Sequence, residues 1–232
     1  MRSTPLLFPS VFVLLALTLQ TGCSQAEKKA EKNQAKATDY IVMLDVSLSM
    51  NDPEWNPALS YAKNALIDWM NYVWLPNSNR VHNPGRLYLY PFAEEVKPRR
   101  TFELTSSGSK EFEGYLNRLD ANGFGSAIIT SLTEVLETMS KSGRTAKRHY
   151  ILITDGDETE LSEQLTNSLW KNKLAQWKTD MVADQRNDQL LIMVIGNGST
   201  GVNFYSFREI MEYAMNHVDP VVTVLVGNVI VD

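Results

Sequence analysis

Short unbroken apolar runs alternate along this chain with longer stretches in which apolar residues recur three or four positions apart. The first pattern predicts strands buried on both faces, the second amphipathic helices. Strands are expected at Asp39–Asp45, at "RLYLYPFA" (Arg86–Ala93) and at "VKPRRTFEL" (Val96–Leu104). Three more are expected at "HYILITDG" from His149, at "QLLIMVIG" from Gln189 and at "VVTVLVG" ending at Gly227. Pro98 cannot donate to a ladder, which sends Val96–Leu104 to a sheet edge. Helical spacing is clearest in Leu59, Ala62, Leu66 and Trp69 with Tyr72 or Val73, and in Ile128, Leu132, Val135, Leu136 and Met139 of Ser126–Ser142. Further helices are expected at Ser109–Asp120, around Leu161–Trp177 and near Tyr205–His217. This order implies an α/β fold: a doubly wound, mostly parallel sheet with helices on both faces and one antiparallel edge strand. Such folds bind ligands beyond the carboxyl ends of their strands.

That rule gives meaning to "YIVMLDVSLSMND", where an apolar strand ends in Asp45, Ser47 and Ser49, spaced two apart. A buried carboxylate with hydroxyls is costly unless something pairs with it. Asp155 stands just past "HYILIT", and Ser126 opens a helix in "NGFGSAIITSL", near the N-cap position that suits a serine. Two carboxylates and three hydroxyls from three loops can therefore meet at one crevice. His82, His149 and His217 are scattered, so the set is all oxygen. Hard ligands of this kind suit Mg2+, Ca2+ or Mn2+ rather than zinc. Each piece also has an ordinary reading. Ser47 and Ser49 could cap the helix that follows, Asp155-Gly156 could be a strand-ending turn, and Ser126 could be only an N-cap. Asp52, Glu54, Asp157 and Glu158 read as solvated loop charge near the rim.

"DVSLSM", the "GFGS" turn with its helix, and "LITDGD" together resemble the three pieces of a von Willebrand factor A domain with a metal-ion-dependent adhesion site. The resemblance runs from Asp39 to the C-terminus and includes the order of strands and helices. It implies one Mg2+ bound directly by the hydroxyls of Ser47 and Ser49, with Ser126 in place of the family's usual threonine. It implies that Asp45 acts through water while orienting Ser47 or Ser49, and that Asp155 acts mostly through water. Ser126 keeps the threonine's oxygen without its methyl. Leu48 stands where bacterial members commonly have glycine, which puts its side chain at the rim.

Composition changes the picture mainly by exclusion. Of 232 residues 44% are hydrophobic and 21% charged, ordinary globular values for one domain with appendages. A net charge of −5 leaves no basic stripe for nucleic acid. Arg2 followed by the apolar "VFVLLALTL" (Val11–Leu19) reads as a targeting segment too short to span a bilayer. The single cysteine, Cys23, follows in "LQTGC". Residues 1–22 thus resemble a lipoprotein signal peptide with Cys23 as the lipid-attachment site, although Gln20 occupies the place where leucine is usual. The alternative is ordinary secretory cleavage beside an unmodified cysteine. Residues 23–38, rich in Ala, Lys, Glu and Gln, cannot bury enough surface to fold alone and read as a tether. The domain is assigned to residues 39–232. "GNGSTG" at Gly196, Gly198 and Gly201 matches a dinucleotide fingerprint by pattern. It follows the penultimate strand, though, with no second mononucleotide half, so no nucleotide cofactor is expected.

The expectation is a non-enzymatic, envelope-anchored protein, held in the membrane through its N-terminal lipid. If the source is Gram-negative, Ser24 directs it to the outer membrane, facing the periplasm. A partner protein would present Asp or Glu to the open position of the cation. Two alternatives are a metal-assisted hydrolase and a structural envelope module whose site does not function.

Overall fold

The computed structural model describes residues 37–51, 58–74, 85–143, 146–156, 169–183, 187–195 and 222–227. Its centre is a six-stranded sheet in the order β3-β2-β1-β4-β5-β6. The strands are β1 (Thr38–Asp45), β2 (Arg86–Phe92), β3 (Arg100–Glu103), β4 (Lys147–Thr154), β5 (Gln189–Ile195) and β6 (Val222–Gly227). β1 pairs in parallel with β2 and β4, the β4–β5 and β5–β6 pairs are parallel, and β3 runs antiparallel at the edge. This is the doubly wound α/β arrangement expected from the sequence. β3 is shorter than expected: Val96 makes only an isolated bridge to Phe92, and the ladder starts after Pro98, at Arg100.

Four helices are described, α1 (Ala58–Asp68), α2 (Ser106–Asn117), α3 (Ile128–Ser140) and α4 (Leu169–Ala183). α1 passes into a π-type turn at Trp69–Trp74. α2 begins earlier than expected because Thr105 caps it, its hydroxyl accepting from the Gly108 amide at 3.1 Å. α4 extends beyond the expected Trp177, so that Leu174, Trp177 and Met181 are all buried. The helix expected near Tyr205–His217 and the glycines 196, 198 and 201 lie outside the described residues, as do residues 1–36.

The strands sort their side chains by parity. Ile41, Met43, Tyr150 and Leu152 face one core with α3 and α4. Val42, Leu44, Ile151 and Ile153 face a second core with α1 and α2. Both faces are covered, which is why the strands are apolar without alternation. No helix among the described residues is long and apolar enough to cross a membrane.

Candidate metal centre

The chain leaves β1 toward β2 on one side and returns to β4 on the other, which makes the β1–β4 gap the switch point of the sheet. Asp45 ends β1, and Thr154, followed by Asp155, ends β4. Asp45 is fully buried. Its Oδ1 accepts from the Ser47 amide at 2.9 Å, and its Oδ2 from the hydroxyls of Ser126 and Thr154 at 2.6 and 2.7 Å. Burial raises the Asp45 pKa above the usual carboxylate range, against the lowering effect of the donors from Ser126, Ser47 and Thr154.

The hydroxyls of Ser47, just before the short 3-10 turn Leu48–Asn51, and of Ser49, within it, stand 3.0 Å apart. Ser126 reaches the same carboxylate from the loop before α3. It is not the N-cap of that helix: the capping position falls on Ala127, which makes no side-chain cap bond, and the Ser126 hydroxyl is given to Asp45 instead. The structure thus joins Asp45, Ser47, Ser49 and Ser126 in one hydrogen-bonded cluster. Asp155 lies at the same strand end, 9% exposed, before a turn in which Gly156 takes a φ of 83°. Asp52, Glu54, Asp157 and Glu158 lie outside the described residues.

Two residues that bear on this cluster were not singled out in the sequence. Thr154 donates to Asp45 while accepting from the Gly156 amide at 3.1 Å, so it braces both the carboxylate and the turn after β4. Its signal was a hydroxyl closing the run Tyr150–Ile153. Glu94 accepts through Oε1 from the amides of Phe124 and, at 3.2 Å, Gly125. These amide bonds, with its own amide first, hold the exposed Glu94 carboxyl below its ordinary pKa. The loops are also tied by backbone. Leu48 N donates to Gly123 O, Val46 N to Phe92 O and Ala127 N to Ala93 O, each at 2.8 Å.

The donor set fits a hard dication. Octahedral Mg2+ with oxygens at roughly 2.1 Å sets neighbouring ligands about 3 Å apart, the separation of the two serine hydroxyls. A hydroxyl that gives its proton to a carboxylate turns its lone pairs toward a cation. Among the described residues no group of three or more His, Cys, Asp and Glu could hold a metal ion, so the candidate donors here are chiefly hydroxyls. His149 stands in β4 five residues before Thr154, about 16 Å along a strand.

The von Willebrand factor type A domain model matches residues 40–158, just over half of the chain. The chain belongs to this family. Its fold is similar to a von Willebrand factor type A protein from Catenulispora acidiphila, at 17% identity and a TM-score of 0.53, covering 85% of this chain and 39% of that one. It is also similar to the pilus adhesin SpaC from Lactobacillus rhamnosus GG, at 14% identity and a TM-score of 0.55, covering 85% of this chain and 29% of that one. The PilB minor pilin from Streptococcus sanguinis has a TM-score of 0.51 at 12% identity, over 86% of this chain and 59% of that one. This chain therefore spans less than two thirds of each of these proteins. No curated protein matches it.

Proposed function

We propose that this family member binds a divalent cation, Mg2+ first and Ca2+ or Mn2+ as substitutes, at the carboxyl ends of β1 and β4. Ser47, Ser49 and Ser126 are the direct hydroxyl ligands in this reading, and Asp45 and Asp155 balance the charge. Bound there, the cation supplies a Lewis-acidic position open to an outside oxygen, and a partner protein's Asp or Glu carboxylate is the hard anion suited to it. The observation that carries the reading is the buried Asp45 carboxylate with its three donors, beside two serine hydroxyls 3.0 Å apart. The chain acts by binding rather than by turnover.

The test compares Mg2+ affinity by calorimetry and capture of envelope proteins for wild type in Mg2+, wild type in EDTA, and Asp155→Ala. Loss of charge is expected to weaken Mg2+ binding tenfold or more, by the order of magnitude seen on disturbing metal sites. Capture should fall in step while circular dichroism stays native. Equal capture in all three states would remove the site from the function.

We also propose that residues 1–22 are cleaved and that Cys23 carries the lipid which holds residues 23–38 and the domain at the envelope. Cys23→Ser is expected to abolish fatty-acid labelling and release the domain, since stable anchoring needs more than one acyl chain. A wild-type chain that never takes up labelled fatty acid would be a secreted protein instead.

A further inference from the structure

Phe124 is 91% exposed, the most exposed large apolar side chain among the described residues. The other described phenylalanines, Phe92, Phe102 and Phe112, are all buried. Looseness does not account for the difference. Its own amide and that of Gly125 are held by Glu94, and Gly123 is bridged to Ser47 on the neighbouring loop. Leu48, 48% exposed, sits between the two serines, and its amide donates to Gly123 O at 2.8 Å. The two loops that supply the hydroxyls therefore each carry an apolar side chain in water, and backbone bonds fix one loop against the other. Single exposed apolar residues are ordinary on a protein surface; what sets this pair apart is that backbone bonds fix both loops beside the site's hydroxyls, so the entropic cost of ordering has already been met by the fold.

Charge narrows the occupant. The chain has a net charge of −5, so an acidic segment is repelled at long range and is drawn in only by a cation at the site. The cation cannot distinguish one carboxylate from another. Leu48 and Phe124 can, through the residues beside it. We infer that Leu48 and Phe124 form a specificity surface continuous with the metal site, and that the partner is a polypeptide segment whose Asp or Glu is flanked by apolar side chains. This rests on the metal reading above.

The experiment uses the purified full-length chain in detergent and two blocked peptides, acetyl-Leu-Glu-Phe-amide and acetyl-Gly-Glu-Gly-amide, titrated by NMR in Mg2+ and in EDTA. Burying two apolar side chains is expected to favour the first peptide by about tenfold or more in Mg2+, with neither peptide bound in EDTA. Leu48→Ser and Phe124→Ser should reduce that ratio toward one while leaving Mg2+ affinity and the affinity of the glycine-flanked peptide unchanged. Both positions are exposed, so neither variant threatens the fold. Equal binding of the two peptides, or a preference that survives both substitutions, overturns the inference. So does a concentration-dependent dimer that Phe124→Ser dissolves, which would assign the surface to a second copy of the chain. Mg2+ affinity is measured separately by competition with a fluorescent chelator. A chain that fails to bind Mg2+ there loses the metal reading itself, and a chain that binds Mg2+ but shows no peptide preference loses only the specificity surface.

Discussion

Asp45 carries two opposed demands. Removing a carboxylate from water is costly, and the burial that raises its pKa is the measure of that cost. Three donors offset it in part, and in the proposed function a cation offsets the rest. Asp45→Asn separates the two demands. The amide keeps the shape and one acceptor for the Ser47 amide, while the hydroxyls of Ser126 and Thr154 can rotate to accept from its NH2. The metal-free variant is therefore expected to be as stable as wild type, or more stable by about 1 kcal/mol, in urea denaturation. Its stabilisation by Mg2+ should vanish, because the balancing charge is gone. A large loss of stability without metal would mean that Asp45 is chiefly structural. At this scale the sequence displayed Asp45, Ser47, Ser49, Ser126 and Asp155 because hydroxyls and carboxylates interrupt apolar runs. It hid Thr154, which reads as a β-branched strand residue, and Glu94, whose partners Phe124 and Gly125 lie some thirty residues away in the chain.

Elements place these residues by tight joints, and Gly123 is one of them. A Cβ added there would stand 2.1 Å from the Ala93 Cβ and 3.0 Å from Glu94 Oε2. Gly123→Ala therefore has to push the loop before α3 away from the end of β2. It is expected to cost about 1–3 kcal/mol as an overpacked site, and to weaken Mg2+ binding by moving Ser126. Gly114, inside α2, meets only the Arg118 guanidinium at 3.7 Å, so Gly114→Ala should stabilise by about 0.5–1 kcal/mol through helix propensity alone. Denaturation curves of the pair, with Mg2+ titrations, separate a strained joint from a general intolerance of alanine. The elements themselves were legible wherever burial is two-sided, since unbroken runs such as those of β1, β4 and β5 leave little choice. The end of α4 was not, because no glycine or proline stands between Trp177 and Asp188 to mark a stop. The early start of α2 turned on Thr105, whose capping role shows only once its hydroxyl is seen to meet Gly108.

Across the whole molecule, the site and the base of the sheet respond to acid in opposite senses. His149 sits near the amino end of β4, buried and stacked on Tyr40 of β1 with ring centres 5.4 Å apart. Burial, and secondarily the charge of Lys147, lower its pKa from 6.5 to about 3. Between those values the unfolded chain binds a proton that the folded chain refuses, so stability falls as pH drops through 6.5, by at most about 1.4 kcal/mol per pH unit. Asp45 works the other way, since its folded pKa is raised above 3.8 and its contribution falls as pH rises toward that folded value. Asp45 is common to wild type and His149→Gln, so the difference between the two proteins from pH 6.5 to 5.5 isolates the histidine effect. The urea midpoint of the wild-type chain in EDTA is expected to fall across this interval relative to that of His149→Gln. Parallel slopes in the two proteins would place the acid sensitivity elsewhere. If the slopes differ as expected, metal binding at the carboxyl ends of β1 and β4 should be unchanged by His149→Gln, because the length of a strand separates the two groups.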